Sequence, residues 1–294
     1  MLLLGLALTL ASAATTNVGF LFRHRGAVAA PDVDVRHPVR SAVGLFRSKW
    51  WTLGYVIAAV AYGLHVAGLA LAPLSLVQAV LAGGLVLLGV IAERWFGFHL
   101  GKREWTGVVL ASAGLVLLTL TAGGETAGDS SNYSLAAMLA WESALVGIGT
   151  MLILMHRTQR HESRKGILLA VAAGLLFTVS HVAVKAATGA NGAALGAPFV
   201  LVAVAAGVGA FFASARSLQV GEGVAVIAVT SIASNASSIP AGIVVFGDPL
   251  GEGAGTIALR CAAFVLVVAA ATLIPGPTRA GAGSRGRSRE AVAT

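Results

Sequence analysis

What this sequence has least of is charge. Asp, Glu, Lys and Arg make up 11% of its 294 residues, against roughly 25% in an average soluble domain. Between Lys49 and Glu93 none of the four occurs. A helix in water keeps a polar face, so so long an uncharged run excludes a water-exposed fold and fits a bilayer. Cysteine is almost missing as well. The single Cys261 excludes a disulfide framework and a cysteine-based metal site, and its apolar neighbours mark it as an inert small hydrophobe. No GxxxxGK[ST], HExxH, GxSxG or paired-cysteine motif is present. No enzyme activity and no cofactor is therefore expected. His24, His37, His99, His156 and His161 lack metal-ligand spacing, and no metal ligands are assigned.

What is present is apolar. Hydrophobic residues reach 57%, and the 37 glycines suit closely packed membrane helices. Nine runs are long enough, or nearly so, to cross a hydrocarbon core of ~30 Å. They are 2–22, 50–72, 74–95, 105–122, 133–155, 166–187, 196–217, 220–246 and 254–275. The first is read as a retained helix, because no positive charge precedes it as in a signal peptide.

Basic residues set the orientation. Arg23, Arg25, Arg36, Arg40, Arg47 and Lys49 lie between the first two runs, Arg94, Lys102 and Arg103 between the third and fourth. Arg157, Arg160, Arg164 and Lys165 follow the fifth, Arg216 the seventh, and Arg279, Arg285, Arg287 and Arg289 the ninth. The alternate connections 123–132, 188–195 and 247–253 hold no Lys or Arg, only Glu125, Asp129, Asp248 and Glu252. The pattern predicts an all-α transmembrane protein of nine spans, N-terminus outside and C-terminus in the cytoplasm. The net charge of +8 is spread over these loops, which speaks against nucleic acid as a partner. Residues 276–294 read as a disordered basic tail suited to anionic lipid. The expected place is a bacterial inner membrane, with the lipid bilayer and a small-molecule or ion substrate as partners, and with a homodimer left open.

Two halves share a loose pattern. ALTLASAATTNVGFLFRHRGA in the first run and AVAAGLLFTVSHVAVKAATGA in the sixth both go from small residues through a polar cluster to a basic residue and Gly. Runs three and eight both end at an acidic residue, Glu93 and Asp248, and runs four and nine open alike. Runs one to four then correspond to six to nine, with the fifth unpaired and the division at 1–122 and 123–275. An offset of five helices inverts one half relative to the other, an arrangement common in transporters.

Trp50-Trp51, Gly54, Ala72-Pro73-Leu74-Ser75-Leu76-Val77 and the Glu93-Arg94…Gly101…Gly107 hinge resemble the drug/metabolite (EamA-like) transporter superfamily, and within it the NIPA-like magnesium transporter branch. The resemblance implies an inverted-repeat bundle working as a secondary transporter or permease of small polar or amphipathic solutes. NIPA-like proteins carry Gly-Glu and then Asn in the second helix; here Ala61-Tyr62 and His65 stand there. A magnesium permease is thus the alternative, and a non-transporting membrane scaffold or enzyme the third reading.

Polar groups at membrane depth are costly and are functional candidates by default. Glu142, alone in an apolar run, reads as a proton- or cation-coupling group, or as the partner of Arg260 or Lys185. His181 and Lys185 share a helix face with Thr178, as Tyr62 does with His65. With Glu142 and Arg260 they fall at similar depth, as in a vestibule open to the outside. Thr230, Ser231, Ser234, Asn235 and Ser238 form one stripe ahead of Pro240, which can kink or interrupt the helix. That stripe reads as a substrate-lining face or as helix-to-helix hydrogen bonds. Asn17, beside Thr15 and Thr16, is a lesser polar patch, and Glu222 is a candidate partner of Arg216.

Overall fold

A computed structural model describes residues 2–34, 37–71, 74–121, 133–189, 193–247 and 253–273. The Ala72-Pro73 turn, most of the connections without Lys or Arg, and the 276–294 tail lie outside the described residues. Each apolar run of the sequence falls in a long helix. In chain order these are α1 (Leu2–Ala29), the short α2 (Pro38–Phe46), α3 (Lys49–Leu71), α4 (Leu74–Phe96), α5 (Lys102–Thr121), α6 (Leu135–Met155), α7 (Glu162–Gly189), α8 (Ala193–Val220), α9 (Gly223–Phe246) and α10 (Ala254–Leu273). Among the described residues no strand occurs. Leu3–Ala29, Leu135–Thr158, Glu162–Ala187, Gly196–Val220 and Gly223–Phe246 are long and apolar enough to cross a membrane, and Ala254–Ala270 is a shorter apolar stretch. Many large apolar side chains point outward, among them Leu201 at 71% exposure and Val204 at 59%. In water that surface would be untenable; against lipid tails it costs nothing.

Local chemistry explains the helix limits. Ser134 caps α6 by accepting from the Ala137 N–H at 3.3 Å. Pro38 starts α2, where a missing N–H does no harm. α9 ends at Gly247, whose φ of 67° is left-handed and open to glycine at no steric cost. The helix runs on through Pro240 rather than stopping there. The first helix reaches Ala29, past the expected limit of 22, so Arg23 and His24 are helical residues packed in the bundle.

Packing falls into two similar sets. α1 packs chiefly on α3 and then on α4, while α7 packs chiefly on α8 and then on α9. α5 and α10 pack on each other, and α6 sits outside the pattern against α7 and α9. The likeness is incomplete, since α4 packs on α5 far more closely than α9 on α10. Small residues permit the closest approaches. A Cβ on Gly26 would lie 2.2 Å from the Trp51 nitrogen, and one on Gly174 would lie 2.6 Å from the Thr230 carbonyl oxygen. Trp51, Leu21, Leu45 and Leu88 are fully buried in the main core.

The bundle has one end where the arginine-bearing connections gather. There Gln219 of α8 accepts from the Val33 N–H at 3.0 Å and donates through Nε2 to the carbonyls of Ala27 at 3.1 Å and Pro31 at 2.9 Å. The Ala27 carbonyl, which also accepts from the Ala30 N–H at 3.2 Å, and the Pro31 carbonyl just past α1 are thereby tied to α8. Arg216 donates to Gln219 Oε1 at 3.1 Å and pairs with Asp32 at 2.8 Å, rather than with Glu222. Next to it, Glu93 Oε1 accepts from the Leu100 N–H and from Trp105 Nε1, each at 3.0 Å. Glu93 thereby fixes the turn between α4 and α5.

Candidate functional site

Glu142 is the least expected group in the bundle. It lies on the buried face of α6 with Met138, Leu145 and Gly149, spaced at helical repeats. Above it Met138 packs with Val182, Ala183, Ala186 and Ala241; below it Leu145 packs with Val179 and Ala206. The side chain is 7% exposed, and its Oε1 has no hydrogen-bond partner. It pairs with neither Arg260 nor Lys185. Arg260 sits on α10 and donates to the Thr121 carbonyl at 2.5 Å, capping the end of α5. Lys185 lies over the Phe246 ring, 4.1 Å from its centroid.

Next to α6, the facing sides of α7 and α9 carry a knot of hydroxyls. Thr178 Oγ1 contacts Ser237 Oγ at 2.7 Å and Ser238 Oγ at 3.2 Å, and donates to the Ser234 carbonyl at 3.0 Å. Only one side of the sequence's polar stripe takes part. Thr230 turns back on the Val226 carbonyl, and Asn235, exposed, on that of Ser231. Ser231 is half-buried. The stripe thus divides between helix-to-helix bonds and a face left open.

The remaining candidates are dispersed. Tyr62 is 69% exposed on the outer surface of α3. His65 is half-buried, with Nδ1 shut away and unpartnered. His181 is exposed and stacks on Phe177. Asn17 is buried and donates to the Gly84 carbonyl at 2.6 Å, tying α1 to α4. The structure therefore brings together Thr178, Ser234 and Ser238, with Glu142 on the neighbouring helix; Tyr62 and Arg260 stand apart from that group.

Sequence reasoning missed a second polar group at the arginine-bearing end. Arg23, assigned by sequence to a loop, has its Cζ 4.0 Å from the Phe20 ring centroid and 5.1 Å from that of Tyr55. Its Nε is closed to solvent without a partner, as is the Trp51 Nε1. Tyr55 and Trp51 in turn meet Phe211 of α8, at centroid distances of 6.4 and 5.8 Å. A cation over a ring is worth about 0.5–2 kcal/mol. Withdrawing a charge from water costs several kcal/mol, so two rings do not balance the account. The signal available in the sequence was Gly19, Gly26 and Gly54, small residues that let α1 and α3 close around the arginine. A shallow cleft elsewhere in the bundle is lined by Phe98, His99, Glu104, Glu222 and Val224 among others. Among the described residues no group of three His, Cys, Asp or Glu is placed to hold a metal ion.

The fold and these sites define a multi-pass helical membrane protein. The chain is similar to the "Probable magnesium transporter NIPA9" of Arabidopsis thaliana, 26% identical over 263 residues, covering 83% of this chain and 74% of the relative. No family model matches the chain, and no solved structure matches it.

Proposed function

We propose that this protein is a membrane transporter, not an enzyme, that moves a small polar or amphipathic solute by alternating access between two inverted helical halves. The observation that carries the reading is the matched packing of α1 on α3 and α4 with α7 on α8 and α9. Equating α1, α3, α4 and α5 with α7, α8, α9 and α10 makes α5 and α10, which pack on each other, the pair on the symmetry axis. Nine spans, with the arginine-bearing end in the cytoplasm, agree with the charge pattern. The substrate then passes between the halves. Glu142 is the coupling group, the open part of the α9 stripe lines the route, and His65, His181 and Lys185 border its outer mouth. Gln219 and its partners join the halves at the cytoplasmic end, so the conformation fits one closed on that side.

Reconstitution into proteoliposomes tests this. Saturable uptake of a polar solute that falls in Glu142→Gln is the expected result. Vesicles that accumulate nothing across a broad panel of solutes and ions would sink the transporter reading.

One observation favours a second reading, magnesium permeation: the similarity to a protein described as a probable magnesium transporter. Magnesium keeps several waters and needs only one or two carboxylates, which the single Glu142 satisfies. A magnesium-sensitive dye trapped in the vesicles separates the readings, since the first predicts no rise above empty liposomes.

A further inference from the structure

We propose that Arg23 is an oxyanion-binding residue, set between α1 and α3 at the arginine-bearing end, which takes a carboxylate or phosphate group. The proposal rests on the two-half reading only for the course of the path. Its test measures binding, so a failure of transport and a failure of this site are distinguishable.

The arginine stem presses on the α3 backbone where Gly54 leaves a notch; a Cβ there would lie 2.6 Å from Arg23 Cγ. Phe20 and Tyr55 cover the guanidinium by their faces. The Tyr55 hydroxyl also accepts a hydrogen bond from the guanidinium, while the Nε–H, shut off from water, keeps no acceptor. The fork matches the two oxygens of a carboxylate or phosphate.

Among the described residues no carboxylate pairs with Arg23. α1, α3 and α8 contain no Asp or Glu. Asp32 is paired with Arg216, and Asp34 with His37 at 2.9 Å. Glu93 is bonded to Leu100 and Trp105. Glu222 precedes Gly223, which packs on the ring of His24, the next position around α1. A half-buried cation in a membrane bundle, with no counter-charge among the described residues, is a functional candidate by default. The second half stands one ring away, because Tyr55, which covers Arg23, itself meets Phe211 of α8. When the halves part at this end, the unpartnered Nε–H becomes open to an anion.

The experiment uses the full chain in nanodiscs and reads thermal unfolding. One arm uses phosphatidylcholine alone, with sodium phosphate or sodium succinate titrated against sodium chloride at fixed ionic strength. The other replaces part of the phosphatidylcholine with phosphatidylglycerol and adds no anion. Stabilisation in the first arm identifies a soluble anion as the ligand; stabilisation only in the second identifies a lipid headgroup. In either, Arg23→Gln is expected to weaken the apparent affinity by about tenfold or more. Arg25→Gln, which removes a guanidinium lying 4.2 Å over Trp50 on the exposed side of α1, leaves the response unchanged. If Arg23→Gln does not fold, Arg23→Lys carries the test, because it keeps the charge and loses the fork; a severalfold weakening supports the site. An unchanged response in the variant that folds, or no wild-type response in either arm, overturns it.

Discussion

Single residues in this bundle do two kinds of work, and substitution separates them. Gly26 is structural: an added methyl would have to displace the backbone nitrogen of the buried Trp51, 2.2 Å away. Gly26→Ala is expected to cost about 1–3 kcal/mol, the usual range for overpacking, read as an earlier unfolding transition in detergent. Thr178 is structural as well. Its hydroxyl joins α7 to α9, and bonds of this kind average about 0.6 kcal/mol in membranes. Thr178→Val is therefore expected to lower stability modestly and leave uptake measurable. Under the proposed function Glu142 belongs to the other kind. A buried oxygen with no partner does nothing for packing, so Glu142→Gln should keep or raise stability while uptake falls by about tenfold or more, ~1.4 kcal/mol. A loss of stability with normal uptake would make Glu142 a packing residue.

At the scale of elements, the helices were legible in the sequence and the site only partly. The apolar runs gave every long helix to within a few residues, except that α1 continues to Ala29 and α7 and α8 gain a turn or less at their ends. Length and hydrophobicity decide where a helix sits in lipid, and both are local properties. Arg23, Gln219 and the limits of the polar stripe were not legible, because each depends on which helix faces which. Arg23 looks like a loop charge until Gly54, Phe20 and Tyr55 are placed around it. Gln219 looks like the end of an apolar run until the carbonyls of Ala27 and Pro31 come within 3.1 Å. These contacts also decide what closes the arginine-bearing end. The Asp32–Arg216 pair leaves Asp32 83% exposed, and a pair of that kind is worth ~0–1 kcal/mol. The Gln219 bonds are the stronger part of the latch, at about 0.5–1.5 kcal/mol each. With Cys261 replaced by Ser and Ala27 by Cys, an impermeant maleimide should label the buried Ala27 position slowly. Gln219→Ala should speed that labelling about tenfold, whereas Asp32→Asn should change it little. Equal effects of the two would locate the closure elsewhere.

For the whole molecule, everything depends on parity. The segregation of Lys and Arg to alternate connections is self-consistent only with an odd number of crossings, and the packing requires α1 and α7 to run in opposite directions. Contacts at the two ends agree with this. His24 late in α1 meets Gly223 at the start of α9, and Gly166 early in α7 meets Gly221. At the far end Tyr133, ahead of α6, meets Phe199 early in α8 and Phe246 late in α9. These contacts set α1 against α7 and α8 against α9 in opposite senses, as the proposed nine crossings require. A reporter active only outside the membrane, fused at position 128, should be active; fused at 160, it should be silent, and a cytoplasmic reporter should give the reverse. Two active fusions would mean that α6 does not cross, which would leave an even number of spans, put α1 and α7 in the same sense and dissolve the inverted repeat. The remaining similarity between the halves would then be one of composition, and a path between them would have no symmetric pair of states to alternate between.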